Sequence, residues 1–257
     1  MKEQTGKFRM MRKHMAKSSW FFLLMLSMQS LVLIGQDREF KSWTSVEYQW
    51  RIGKRWRVDL GQHIRSKQDF RALDHFITQS DISYTPWKRW RLSAQIRYYR
   101  QNDNQGARQG YDNLFRYRVG IEKRFRVKAL HFGLRLAYQD RRSLDRSRFA
   151  SSQDWSVYGK RTKKVMRLRP SVEWKIKDWA YDPVFFVEYL PEYNPNQKPL
   201  SFYSIRYGLG TEKKISKSQS ISIRYFFERS KFRKSDYAYV THVLQLRYMF
   251  KGRKKKN

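Results

Sequence analysis

The chain has 257 residues, with 56 Lys/Arg against 22 Asp/Glu, a formal net charge of +34 and no cysteine. The missing cysteine excludes a disulfide framework, a thiolate metal centre and lipoprotein-type lipid attachment. The charge excess predicts an attraction for polyanions, and no Pro/Gly/Ser-rich linker divides the sequence into more than one domain.

Residues 1–35 read as an export signal. Lys7, Arg9, Arg12, Lys13 and Lys17 lead into the apolar run from Trp20 to Ile34, and the expected cut follows Gly35. That run is shorter than the roughly 20 residues a spanning helix needs. Before Trp20 stand six Lys/Arg and one Glu, so the exported part keeps +34 − 6 + 1 = +29. Behind an export signal the expected anions are lipopolysaccharide phosphates, phospholipid headgroups, anionic glycans or solutes, and nucleic acid is not an expected partner.

From Trp43 to Phe250 the sequence alternates apolar and polar residues with a period of two, the signature of strands with one greasy and one charged face. Val46, Tyr48, Trp50 and Ile52 oppose Glu47, Gln49 and Arg51; after Gly53, Trp56, Val58, Leu60 and Ile64 oppose Arg57, Asp59, His63 and Arg65. The stretch Phe76 to Tyr84 is weaker, because Thr78 and Ser80 fall on the apolar side. Trp90, Leu92, Ala94, Ile96 and Tyr98 oppose Arg91, Ser93, Gln95 and Arg97, and Phe115, Tyr117, Val119 and Ile121 oppose Arg116, Arg118 and Glu122. The clearest segment sets Leu130, Phe132, Leu134, Leu136 and Tyr138 against His131, Gly133, Arg135, Ala137 and Gln139. Pro170 interrupts the segment from Met166 to Ile176 and removes one ladder donor. Tyr203 to Leu209, Ile221 to Phe227 and Leu244 to Phe250 complete the series.

Short connections near Gly53, Lys88, Arg126, Asp178 and Ser216 alternate with long ones near 68–74, 101–110, 141–163, 191–201 and 230–237. This is the pattern of an outer-membrane barrel with short periplasmic turns and long external loops. Trp50, Trp56, Trp87, Trp90, Trp174 and Trp179 flank the short turns, where an interfacial girdle belongs. The segments number eleven, but single-chain bacterial barrels have an even number of strands, so ten to twelve are expected and twelve preferred: either one segment is wrongly divided, or an extra strand is supplied by residues 36–42 or hidden in 141–163. The expected fold is all-β, an antiparallel transmembrane β-barrel over residues 36–250, followed by a basic tail over 251–257. A soluble β-sandwich is the rival fold, since period two does not say what covers the apolar face.

Trp43 and Glu47, Arg65 and Arg71, Tyr98-Tyr99-Arg100, Arg116 and Arg118, and Glu188 before Tyr189-Leu190-Pro191-Glu192 together resemble the DUF2490-like family of Bacteroidota, a domain of unknown function. The resemblance implies an outer-membrane barrel and no catalytic residue.

No metal or catalytic constellation is legible, so no cofactor, metal ligand or catalytic residue is expected. His14, His63, His75, His131 and His242 stand at no ligand spacing. Asp59 and His63 lie about 13 Å apart along one strand, and no G-x-S-x-G elbow occurs. Gly208 and Gly210 precede no helix and read as points of close approach in the barrel wall.

The functional candidates are the inward row. Arg57, Arg65, Arg91, Arg97, Arg116, Arg118, Arg135, Arg167, Arg206, Arg224 and Arg247, with Glu47, Glu122 and Glu188, are expected to line the lumen. Arg51, Arg169, Asp59, Asp81, Asp112, Glu173, Glu212 and Glu228 share that phase. Arginine forks two hydrogen bonds to carboxylate or phosphate, so such a lumen is either a cross-linked core or an anion path. The expected function is a small anion-preferring pore or a structural or binding barrel of the bacterial outer membrane, partnered by its lipids and lipopolysaccharide and by the barrel-insertion machinery. The alternatives are an outer-membrane enzyme acting on lipid or polysaccharide and a soluble exported protein that binds polyanions.

Overall fold

The structure, a computed structural model, describes residues 38–103, 110–144, 162–177, 179–194, 197–232 and 238–252. The export signal, its cleavage point and the basic tail beyond residue 252 lie outside the described residues.

Among the described residues eleven strands follow one another: β1 (Arg38–Ile52), β2 (Trp56–Lys67), β3 (Ala72–Tyr84), β4 (Trp90–Asp103), β5 (Gly110–Val127), β6 (Leu130–Ser143), β7 (Thr162–Trp174), β8 (Asp182–Asn194), β9 (Gln197–Lys214), β10 (Gln219–Phe232) and β11 (Ala238–Lys251). Each pairs antiparallel with its chain neighbours, and β1 and β11 meet in parallel, Arg38 opposite Val240 through Gln49 opposite Lys251, to close a barrel. Closure leaves no edge with unpaired backbone groups.

Two expectations are corrected here. The described residues close the barrel with eleven strands rather than the preferred twelve; residues 145–161, within one of the two stretches expected to hold the extra strand, lie outside the described residues. Residues 38–42 extend β1 and form no separate strand, and the odd number is accommodated because a parallel seam satisfies the same backbone donors and acceptors as an antiparallel one. The start of β1 and the end of β11 therefore lie at opposite ends of the barrel. The connections expected to be long at 68–74 and 191–201 are also shorter than read. β2 and β3 are joined by Gln68–Arg71, where Gln68, Asp69 and Phe70 all take positive φ, and β8 runs to Asn194 before β9 begins at Gln197. Pairing continues past the point where outward apolar residues stop, so alternation in the sequence underestimates strand length.

The burial pattern is inverted relative to a soluble protein. Along β1, Val46, Trp50 and Ile52 are 51, 52 and 45% exposed, whereas Ser45, Glu47 and Gln49 on the other face are 4, 9 and 5% exposed. The outward face carries Trp, Tyr, Leu, Ile and Val; the inward face carries most of the buried charge. Even the weak segment obeys this phase, because outward Thr78 on β3 donates its hydroxyl hydrogen to Gln62 Oε1 on β2, 3.1 Å away, so two misplaced polar groups satisfy one another.

Candidate functional site: an arginine-lined lumen divided by an aromatic septum

Strand alternation sends every second side chain of eleven strands into one interior. Most of that interior is a cavity of about 1020 Å³, whose wall continues onto Arg89, Arg124, Arg126, Lys175, Trp179 and Lys214 at the short-turn end. A second cavity of about 430 Å³, bordered by Lys41, Asp74, Arg141, Lys163 and Tyr239, lies toward the long-connection end. Trp43 and Arg65 are the two residues common to both walls.

All thirteen arginines read as inward line the large cavity, together with Glu47, Asp59, Asp81, Glu122, Glu173, Glu188 and Glu212. Glu228 borders the small cavity, and Asp112 borders neither. The large wall carries 19 Lys/Arg against 8 Asp/Glu, an excess of 11 cations that attracts negative charge.

Part of the charge is neutralised by forked pairs. Arg167 donates to both oxygens of Glu188 (2.8 and 2.9 Å), and Arg206 donates to Glu188 (3.2 Å) and to Glu228 (2.8 Å). Glu122 accepts from Arg124 and from Arg135, the latter at 2.9 Å. Arg247 reaches Glu212 (3.0 Å) and Ser222 (3.1 Å). Asp59 is taken up by Gln49 (2.9 Å) and Arg57 (2.8 Å) and makes no hydrogen bond to His63. At the rim, partial burial works against the Lys175 charge, but the carboxylates of Asp182 and Glu173, both 2.7 Å away, outweigh it and hold its pKa above the ordinary lysine value.

The remainder is not neutralised. Arg116 donates to Gln95 Oε1 (2.9 Å) and faces the like charges of Arg97, Arg118 and Arg167, and the Nε groups of Arg65, Arg97 and Arg116 are buried without a hydrogen-bond partner. Buried donors of this kind are costly unless an anion or water meets them.

The alternation did not reveal the septum. Trp43 carries the Arg65 guanidinium at 3.8 Å from its ring centre and meets the edge of Phe226 at 4.9 Å; Phe226 lies 6.4 Å from Phe186, over which Arg169 sits at 3.9 Å. Phe186, Phe226 and Val243 form a buried apolar cluster, and Ile77, Tyr99 and Leu114 a second one. A signal was available: Phe185-Phe186-Val187 and Tyr225-Phe226-Phe227 are unbroken apolar triplets, so in a strand each sends one member inward. The glycines belong to the same packing. A Cβ on Gly208 would stand 2.1 Å from the Phe186 ring, and one on Gly210 2.5 Å from Arg224, so each absent side chain makes room for an inward neighbour.

Of the six tryptophans expected in a girdle, Trp50, Trp56, Trp87 and Trp174 are exposed on the outside. Trp179 instead lines the chamber mouth. Among the described residues no group of three or more His, Asp or Glu converges as a metal site would require.

A family model described as a protein of unknown function (DUF2490) matches residues 40–239. No curated protein and no solved structure matches the chain.

Proposed function

The chain belongs to the DUF2490 family of proteins of unknown function, and from its geometry we propose that it is a bacterial outer-membrane β-barrel that binds anions in its arginine chamber and is closed to free flow by the Trp43–Phe226–Phe186 septum. The observation that carries the membrane reading is the inverted burial, with large apolar side chains outward along every strand and carboxylates and guanidiniums enclosed. A soluble sheet exposing this much contiguous apolar surface would aggregate, whereas hydrocarbon covers it at no cost. The short turns then lie in the periplasm, the four outward tryptophans sit near that interface, and the chamber opens toward periplasmic anions. The soluble polyanion binder does not account for the outward face.

The binding reading is preferred over an open pore because the stacked Trp43–Arg65 pair stands between the two cavities. Heat-modifiable migration on gels after detergent extraction is the test. The folded barrel should run faster unboiled than boiled and should stay in the membrane fraction at high salt. A protein recovered in the aqueous fraction, with no heat shift, would refute the proposal.

A further inference from the structure

One part of the barrel wall is built differently from the rest. Between Lys164 and Glu173 of β7, six of ten positions have a paired partner on β8; Met166, Arg167, Arg169 and Pro170 have none. The β5–β6 wall, by comparison, pairs without a gap from Leu114 opposite Ser143 to Val127 opposite Leu130. The cause is in the sequence. Pro170 has no amide hydrogen to donate, and the position facing Met166 in the same register is Pro191, which has none either.

Side-chain ion pairs tie this seam, one at the gap in the ladder and one beyond each end of it. Lys163 pairs with Glu192, Arg167 with Glu188, and Lys175 with Asp182, each linking the β7 side to the β8 side. Such ties can exchange partners. Glu188 is also held by Arg206, so it keeps a cation if Arg167 turns to another anion. Behind the gap, Arg169 rests on the Phe186 ring and makes no carboxylate pair among the described residues. In front of it, on the outer surface, Met166, Leu168, Val187 and Tyr189 are exposed.

We propose that the β7–β8 seam is a lateral opening that admits the phosphate headgroup of an anionic lipid to Arg167 and Arg169, while its acyl chains stay outside against Met166, Leu168, Val187 and Tyr189. This rests on the membrane-barrel reading above. A seam with a broken ladder lets a headgroup cross the wall without rupturing a full run of backbone bonds. A guanidinium pair directly behind it supplies forked donors for a phosphate monoester. The apolar outer rim matches the chains that remain attached.

The test uses the full chain folded in a zwitterionic detergent, short-chain phosphatidic acid, phosphatidylcholine or inorganic phosphate as probe, and native mass spectrometry to count retained lipid. Leu168→Cys with Tyr189→Cys, facing residues across the seam, gives a disulfide lock; Val119→Cys with Tyr138→Cys, facing residues of the intact wall, gives the control. Heat-modifiable migration verifies that each variant is a folded barrel, which keeps failure of the seam distinct from failure of the membrane reading. The wild type and the oxidised control should retain phosphatidic acid over phosphatidylcholine. The oxidised seam lock should retain about tenfold less phosphatidic acid, or lower still, than the same double-cysteine variant under reductant, and Arg167→Gln with Arg169→Gln should lose it by a similar factor relative to the wild type. Inorganic phosphate should bind the locked barrel as it binds the free one, because it enters through the short-turn mouth. A locked seam that keeps phosphatidic acid, equal retention of phosphatidylcholine, or a wild type that binds inorganic phosphate but no phosphatidic acid would each overturn the lateral route.

Discussion

Gly208 and Glu188 show how single positions support the lumen. Gly208 leaves the recess that Phe186 fills, so Gly208→Ala places a carbon inside the ring and displaces it from the septum. Overpacking of this kind costs about 1–3 kcal/mol, and a thermal ramp in detergent, read by loss of the fast-migrating form, should show a lower midpoint. Glu188 is 3% exposed and holds two guanidiniums. Glu188→Gln would leave Arg167 and Arg206 short of a carboxylate in a buried site, a loss of about 3–5 kcal/mol, so the same ramp should rank it as the more damaging of the two. Both inward positions were legible in the sequence, because the phase of a strand places them. Which side chain each one meets was not, since those partners come from strands up to dozens of residues away.

At the level of strands, the sequence indicated eleven segments, their faces and a barrel, but neither their true ends nor the parallel pair through which the barrel closes. β5 and β9 each run for 18 residues, well beyond the roughly 9–11 a bilayer requires, because backbone pairing does not depend on outward residues being apolar. Pro170 was legible as a lost donor; that its loss falls opposite another proline-bearing strand emerges only from the register of β7 against β8. Pro170→Val should restore a donor where the ladder is broken. One backbone hydrogen bond contributes about 1 kcal/mol net, so the variant is expected to melt slightly higher and to slow amide exchange along β7 and β8 while leaving β5 and β6 unchanged. Faster exchange at the seam would mean that Pro170 fits its site better than a residue with an amide hydrogen.

For the molecule as a whole, the lumen's charge and its septum make opposing demands. The excess of 11 cations on the chamber wall favours anions, but Trp43, with Arg65 stacked on it and Phe226 against its edge, stands between that chamber and the small cavity. The wild type in a planar bilayer should therefore pass no steady current. Trp43→Ala with Phe226→Ala should open one that prefers anions, and adding Arg97→Glu or Arg118→Glu in that opened background should move the reversal potential toward cations. An unchanged reversal potential would remove those arginines from the conducting wall.

By itself the sequence determined which face of each strand is greasy and which is charged, because a two-residue period is a property of the extended backbone and needs no partner. It also determined that the inward row is rich in arginine, with too few carboxylates to neutralise it. Only the tertiary structure decided that eleven strands close through a parallel pair, that Trp43, Phe186 and Phe226 converge into a septum, and that two proline-bearing strands lie side by side. Each of these depends on which strands become neighbours and in what register, and that is set by closure of the whole barrel, which local alternation does not encode.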